Sequence, residues 1–341
     1  MYIYVLDKTL KRIGLIDNYV SLIWTTRYYT YGDFELYLPV TTEFIELLQI
    51  GYYLETTESD YVMIIESINL KTDAENGNYL TISGRSVESL LERRVVSSRM
   101  SVSDYQIENL SKMLIESNFI NTSSDRIMNE IAVNSETKGF SDTITGQYFG
   151  NNVYEVISQN CTAYGYGFRM SLVNGKFTFE MYAGLDRTRS QKVNIPAVFS
   201  PEFENLVNTE YSYNVQEHKN VAFVAGEGEG SARKSIFSGA VSGIERREIF
   251  VDARDLSSEN LTTFQYQQQL KTRGIEKLAE TIVFPEYVGE VNNFPEYCGL
   301  GDIVEVVNEF NMKATARITE IIESYSTNGN TRVPTFDEWS V

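Results

Sequence analysis

Polar and apolar side chains alternate along Asp33-Phe-Glu-Leu-Tyr-Leu-Pro39, which places Phe34, Leu36 and Leu38 on one side. Successive side chains of a strand point to opposite faces, so the pattern predicts a half-buried β-strand, which the proline ends. Stretches of similar strand character, with a short helix among them, lie at residues 1–6, 22–29, 52–57, 61–70 and 79–83. Short strands at such intervals predict a small β-barrel or sandwich in the first part of the chain.

The pattern changes after Arg94. Ser103-x-x-Gln106 resembles a capping box, and an apolar stripe that begins at Ile107 predicts a helix directly after it. A second helix is predicted after Asn152, and a hairpin follows it. Residues 95–197 are therefore expected to form an inserted module that mixes helices and strands.

Strand character returns near Val198 and is interrupted by one helix, predicted over residues 261–280. Residues 328–341 are polar, and we expect them to be irregular. The fold class predicted by these patterns is α+β, mainly β, with two small β-barrel modules and an inserted α/β module. The expected boundaries are 1–94 for the first β-barrel module, 95–197 for the inserted module and 198–341 for the second β-barrel module with its helix.

The composition excludes several classes of function. The formal net charge is −18, and an acidic surface disfavours nucleic acid because each phosphate contact needs a lysine or arginine. No stretch approaches the roughly eighteen apolar residues of a membrane span. The start of the chain lacks the basic and apolar regions of a signal peptide, so we expect a protein made in the cytoplasm that does not insert into a membrane.

Few residues are suited to metal binding or nucleophilic catalysis. The chain holds one histidine, His218, and two cysteines, Cys161 and Cys298. A single histidine removes most metal sites and the Ser-His-Asp and Cys-His arrangements. Two thiols far apart in sequence supply neither a disulfide framework nor a zinc quartet. We therefore predict no catalytic residue, no metal and no cofactor.

Charged residues are the candidates for contacts with other subunits or partners. The string Gly226-Glu-Gly-Glu-Gly230 lacks the ending of a phosphate loop, and its glutamates could bind calcium or act as paired acids. A β-connection or partner-contacting loop is the simpler interpretation. Opposite charges over residues 245–255 could form surface salt bridges or fix the register of an interface. The candidate interface residues are Arg85, Glu227, Glu229, Arg246, Arg247, Asp252, Arg254 and Asp255.

An aromatic cluster near the start of the chain offers another contact surface. Trp24, Tyr28, Tyr29 and Tyr31 could stack on sugars or fill a protein interface. Strand alternation allows only half of them to face a core, so an exposed tyrosine-rich face is expected.

Several strings, in their order and spacing, together resemble the siphophage tail proteins related to baseplate hubs. The resemblance covers residues from about 4 to 336. The strings that carry it are Ser21–Tyr29, Gly32–Pro39, Leu80–Arg94, Tyr182–Arg187, Val198–Ser200, Val224–Gly230, Arg246–Asp255, Leu300–Val304 and Arg317–Glu323.

The resemblance implies a baseplate-hub-like fold and a structural role in a virion tail tip or tail-like particle. In that family three subunits, each with two similar β-barrels, form a ring that matches a sixfold tube on one side and a threefold tip on the other. The inserted module helps to close the central channel. The implied partners are two further copies of the chain, a distal tail protein or tail-tube ring, and a tip, fibre or tape-measure protein.

Two other functions remain open from the sequence. One is a tail-tip cell-wall hydrolase that uses carboxylates such as Glu227 and Asp252, since glycosidases need only two acids. The other is a glycan- or receptor-binding module. Many hubs of that family continue into a long receptor-binding or lytic region, and because this sequence ends at Val341 we expect those activities on another chain.

Overall fold

The computed structural model describes residues 1–73, 77–283, 286–291, 294–295, 297–310, 313–327 and 329–340. Residues 1–94 are called the first segment, and its described residues form seven strands and one α-helix. The helix is α1 (Thr42–Leu47), and a 3-10 helix, Val87–Arg93, ends the segment. The strands are β1 (Ile3–Leu6), β2 (Arg12–Ile16), β3 (Ser21–Arg27), β4 (Asp33–Pro39), β5 (Tyr53–Glu55), β6 (Met63–Asp73) and β7 (Gly77–Ser86).

The strands of the first segment pair antiparallel in the order β3-β4-β7-β6-β5-β1-β2. The predicted face of β4 is confirmed, because Phe34, Leu36 and Leu38 are all buried. They pack with Trp24 and neighbouring apolar side chains in one core cluster. Burial of such side chains is the main source of the stability of this sheet.

Residues 95–197, the middle segment, contain two α-helices and five strands in the described chain. The helix α2 (Ile107–Ile115) continues as a π-helical turn, Glu116–Ile120. The helix α3 (Val153–Tyr164) is capped by Asn152, whose side chain accepts from the amide of Tyr154. The strands are β8 (Met100–Gln106), β9 (Ile131–Val133), β10 (Thr143–Tyr148), β11 (Gly167–Val173) and β12 (Lys176–Tyr182).

The predicted capping box before α2 is wrong. Ser103 lies within β8, which pairs with β10, and Gln106 makes no side-chain cap bond. The amide of Ile107 instead donates to the carbonyl of Asp142, so a neighbouring loop satisfies the first turn of the helix.

Residues 198–341, the third segment, hold the remaining described elements. A helix, α4 (Thr263–Ala279), lies between two groups of strands. The first group is β13 (Val198–Phe199), β14 (Val207–Ser212), β15 (Val221–Ala225), β16 (Ser235–Ser238) and β17 (Glu248–Asp252). The second group is β18 (Glu286–Glu290), β19 (Ile303–Val307), β20 (Lys313–Ser326) and β21 (Gly329–Ser340).

The first and third segments share one sheet. Strand β20 pairs antiparallel with β3 from Ser21 opposite Ser326 to Arg27 opposite Glu320. The described strands of this sheet follow the path β14-β18-β21-β20-β3 and then continue through the first segment, while β19 and β13 branch from β20. An ion pair of 2.5 Å between Arg27 and Glu320 reinforces the joint.

The expectation that residues 328–341 are irregular is wrong for the part that the structure describes. Residues 329–340 form β21, which pairs with both β20 and β18, while residues 328 and 341 lie outside the described chain. The polar composition is misleading because Phe336 is fully buried in the core cluster of the third segment.

The predicted fold class, α+β and mainly β, is confirmed. Closure of either β module into a barrel, and the three module boundaries, stay predictions. Among the described residues, no helix is long and apolar enough to cross a membrane.

Candidate assembly interface

Strands β15, β16 and β17 form a small sheet of their own. This sheet and α4 together are called the β15–β17 unit. β15 lies in the middle, antiparallel to β16 and parallel to β17. The helix begins with a capping box between Thr262 and Gln265 and packs on one face of the sheet. Gly274 allows the close approach, since a Cβ there would lie 2.7 Å from Ser238 and 2.9 Å from Val224.

Seven of the eight predicted interface residues lie in or beside this unit. Asp252 is the centre of one group, accepting from Arg233 at 2.6 Å and from Arg254 at 2.5 Å. Arg246 pairs with Glu248 at 2.5 Å. The remaining members of the predicted set in this region are Glu227, Glu229, Arg247 and Asp255.

Three of these remaining residues, Glu227, Asp255 and Arg247, have local partners. Glu227 accepts from the hydroxyl of Ser258 at 2.5 Å. Asp255 pairs with Arg273 of α4 at 3.1 Å, and Arg247 donates to the carbonyl of Val215. The glycine-rich loop, residues 226–230, is held to α4, because the hydroxyl of Tyr266 accepts from the amide of Glu227 at 2.9 Å.

The carboxylates considered for hydrolysis are poorly suited to donate a proton. The hydrogen bond from Ser258 lowers the pKa of Glu227, and the hydrogen bond from Arg254 lowers the pKa of Asp252. A general acid needs a raised pKa so that it still holds its proton near neutral pH. In the described part of the chain, no group of three or more His, Cys, Asp or Glu is arranged to hold a metal ion.

Arg85 is separate from that unit in the fold. It lies on β7 in the large sheet, where it forms ion pairs with Glu66 at 2.7 Å and Glu92 at 2.6 Å. Its guanidinium also lies 4.9 Å from the centroid of the Tyr31 ring. The hydrogen bonds that Arg85 donates to Glu66 and Glu92 raise the pKa of Arg85.

The sequence analysis missed a row of three phenylalanines on the outer face of the small sheet. Phe223 on β15 lies opposite Phe237 on β16 and opposite Phe250 on β17. Its ring centroid is 4.8 Å and 6.0 Å from theirs. The sequence of each strand shows its phenylalanine among apolar residues, but only the pairing register reveals that the three rings form one row.

The expected tyrosine-rich face near residue 28 is wrong. Trp24, Tyr28 and Tyr29 are all buried, and only Tyr31 is partly exposed. The alternation rule fails because β3 ends at Arg27, and beyond that point both tyrosine rings pack into the core of the middle segment.

Tyr28 joins all three segments. Its hydroxyl donates to the carbonyl of Gly165, 3.2 Å away, and accepts from the amide of Gly184 at 3.3 Å. A Cβ added to Gly301 would lie 2.2 Å from the Tyr28 ring, and one added to Gly167 would lie 2.3 Å from it. These glycines therefore leave the space that the ring fills.

A buried ion pair lies near the same junction. The Nε of Arg187 is 2.5 Å from Oδ2 of Asp302, and both side chains are less than a tenth exposed. Oδ1 of Asp302 accepts from the amide of Leu185 at 2.8 Å, and Oδ2 accepts from the amide of Gly299 at 3.1 Å. Asp302 thus connects residues 185–187, which follow β12, to the start of β19.

The middle segment contacts α4 through a mostly buried carboxyl. The hydroxyl of Tyr148 donates to Oε1 of Glu276 at 3.0 Å, and Nε of Arg273 is 3.4 Å from Oε2. Burial raises the pKa of Glu276 above its ordinary value of 4.5. A second contact, between Gln159 and Glu280 at 2.8 Å, lies on the exposed side.

Replacing Glu276 by glutamine is expected to change how stability depends on pH. The folded chain holds this proton more tightly than the unfolded chain, so its stabilising contribution is complete below the unfolded pKa of 4.5 and is lost as pH rises through the higher folded pKa. Glutamine cannot ionise. Denaturant titrations across this range should show Glu276→Gln gaining stability relative to the wild type as pH rises, and a constant difference would contradict the assignment.

The histidine and cysteines have structural surroundings. Both thiols are free and buried, and burial raises the pKa of Cys298 to about 11. Burial also raises the pKa of Cys161. A thiol with a raised pKa is a poor nucleophile at neutral pH. Nδ1 of the partly buried His218 lies 3.2 Å from the carbonyl oxygen of Thr281.

Comparison with solved structures finds tail proteins over nearly the whole chain. The tail protein from Neisseria meningitidis MC58 has a TM-score of 0.61 and 13% identity, over 99% of this chain and 96% of that one. The 43 kDa tail protein of prophage MuSo2 from Shewanella oneidensis has a TM-score of 0.60 and 11% identity, over 98% of each chain. Prophage tail protein gp18 from Listeria monocytogenes EGD-e has a TM-score of 0.53 and 12% identity, over 99% of this chain and 94% of that one.

The fold is shared with a class of phage and prophage tail proteins. The chain belongs to the family described as Siphovirus ReqiPepy6 Gp37-like protein, whose model matches residues 2–336. The resemblance stated from the sequence is therefore confirmed. No curated protein matches the sequence.

Proposed function

We propose that the protein is a hub of the tail tip, in which three copies form a ring between the tail tube and the tip. The observation that carries the proposal is the joint between β3 and β20, which holds two β-rich segments of one chain in a single sheet. Three such chains present six β-rich segments around a ring. That number matches a sixfold tube on one side, while the three chains match a threefold tip on the other.

The proposed neighbours follow from this arrangement. A distal tail protein or tube ring would lie on one side, and a tip, fibre or tape-measure protein on the other. The middle segment, residues 95–197, would face the tip and close the central channel. Arg85 and the seven charged residues in or beside the β15–β17 unit are the proposed contacts, because mixed charges set the specificity of an interface more than its affinity.

The mass of the native protein tests the ring. Light scattering on the purified chain, alone and mixed with its tube-end partner, is expected to give three times the chain mass of 38.9 kDa in at least one of the two conditions. Formation of the ring only with the partner would mean that the tube end templates it. A single-chain mass in both conditions would overturn the trimer.

We also propose that the hub acts without catalysis. The lowered pKa values of Glu227 and Asp252 support this, because neither carboxyl is tuned to protonate a leaving group. Purified protein mixed with cell-wall suspensions is expected to leave their turbidity unchanged. Clearing that is lost when Glu227→Gln and Asp252→Asn are combined would overturn the proposal in favour of a hydrolase.

A further inference from the structure

We propose that the row Phe223, Phe237 and Phe250, called the phenylalanine row, is a contact surface for a second copy of this chain. The inference rests on the proposed trimeric ring and adds the face through which the copies meet. The two outer rings of the row are exposed: Phe237 is 50% and Phe250 is 58% exposed, although both lie in regular strands.

The fold of the β15–β17 unit does not use these rings. Its core lies on the opposite face, where Ala222, Val224 and Val251 are buried against Tyr266 and Leu270 of α4. Scattered exposed apolar side chains are common on protein surfaces, but a contiguous aromatic group marks an interaction site. The phenylalanine row is contiguous, because its middle ring lies 4.8 Å and 6.0 Å from the outer two.

Two arginines frame the phenylalanine row. The guanidinium of Arg246 lies 4.8 Å from the centroid of Phe237, and that of Arg233 lies 5.8 Å from the centroid of Phe250. Phenylalanine, the other aromatic residues and arginine are enriched in protein interfaces relative to the rest of the surface. The side chains at the two ends of the row therefore have the composition of an interface centre.

The rim of this surface carries nearly balanced charge. Arg246 pairs with Glu248 at 2.5 Å, and Arg233 pairs at 2.6 Å with Asp252, which Arg254 also contacts. Residues 220–255 contain five basic and six acidic side chains, whereas the whole chain has a net charge of −18. The rest of the chain therefore carries almost all of the excess negative charge.

This distribution favours a second copy as the occupant. Two copies of a strongly acidic chain repel each other through most of their surfaces, and a near-neutral face is where that repulsion is weakest. With five basic and six acidic side chains, residues 220–255 carry no net positive charge for a nucleic acid or another strongly acidic ligand. The acidic and basic side chains of this rim can instead form ion pairs with the basic and acidic side chains of the same rim on a neighbouring copy. Ile244, in the connection between β16 and β17, is 95% exposed and offers a further apolar side chain for the contact.

The test compares self-association of the full chain with that of the double variant Phe237→Ser/Phe250→Ser. Sedimentation velocity over a concentration series is expected to show association of the wild type and a dissociation constant at least about tenfold weaker for the variant. The matched control is Phe149→Ser/Phe310→Ser, which removes two phenylalanines that are 62% and 84% exposed elsewhere. The control should associate as the wild type does, and equal unfolding midpoints would show that all three chains are folded.

The other outcomes separate this inference from the proposed ring. Equal association of wild type and Phe237→Ser/Phe250→Ser would overturn the phenylalanine row as the contact while leaving the ring intact. A variant that still associates but no longer binds the tube-end or tip protein would assign the row to another tail protein, which also overturns the proposal. A wild type that stays a single chain, alone and with its tube-end partner, would overturn both the ring and this inference.

Discussion

Replacing Tyr28 by alanine is expected to lower the free energy of unfolding by about 3–5 kcal/mol, the usual cost of truncating a buried aromatic side chain. The ring is fully buried among residues of all three segments. Three glycine backbones, at Gly167, Gly184 and Gly301, approach the tyrosine closely, and at these positions no side chain is available to fill the cavity. Denaturant titration of both proteins measures the difference.

A second substitution at Tyr28 separates packing from hydrogen bonding. Tyr28→Phe keeps the ring and removes the hydroxyl that bonds Gly165 and Gly184, and is expected to cost about 1–3 kcal/mol. Tyr2→Ala is the control, because Tyr2 is largely exposed and should change stability by no more than about 0.5 kcal/mol. If Tyr28→Ala and Tyr2→Ala proved equally stable, the junction would not hold the segments together.

Replacing Arg187 by alanine is expected to destabilise the chain by about 3–5 kcal/mol, because it leaves Asp302 charged, buried and without its cation. The chain offers a close control two residues away. Arg189 forms an ion pair of similar length, 2.6 Å, with Glu305, but its side chain is 57% exposed whereas that of Arg187 is 9% exposed. Arg189→Ala should therefore cost at most about 1 kcal/mol.

A double-mutant cycle completes this comparison. Combining Arg187→Ala with Asp302→Ala is expected to cost less than the sum of the two single changes, since removal of both partners leaves no buried unpaired charge. The double variant should still be less stable than the wild type, because the amides of Leu185 and Gly299 also donate to Asp302. Equal effects of Arg187→Ala and Arg189→Ala would mean that burial does not control the strength of these pairs.

Local patterns in the sequence predict the elements of this fold well where the buried positions follow the period of the strand or helix itself. The face of β4 with Phe34, Leu36 and Leu38 is such a case, and so is α4, whose observed bounds, Thr263–Ala279, lie close to the predicted ones. In both cases the pattern is set by the residues of the element itself, so a single stretch contains the information.

The errors occur where distant residues decide the structure. Strand β21 is polar, yet it forms because β20 and β18 supply hydrogen bonds and Phe336 enters a core. Ser103 has the spacing of a helix cap, but β10 pairs with its strand. The side chains of the phenylalanine row come from three strands, so the sequence shows each ring but not their alignment.

The joint between β3 and β20 also decides when the protein can finish folding during synthesis. The ion pair from Arg27 to Glu320 spans 293 positions along the chain, and the strands around it pair at similar separations. Contacts so distant in sequence form slowly, because a long loop must be closed before they stabilise anything. A nascent chain exposes one edge of β3 until the ribosome has released residues 320–326. Shorter nascent chains therefore lack the shared sheet, and only a copy translated beyond residue 326 can join the two β-rich segments.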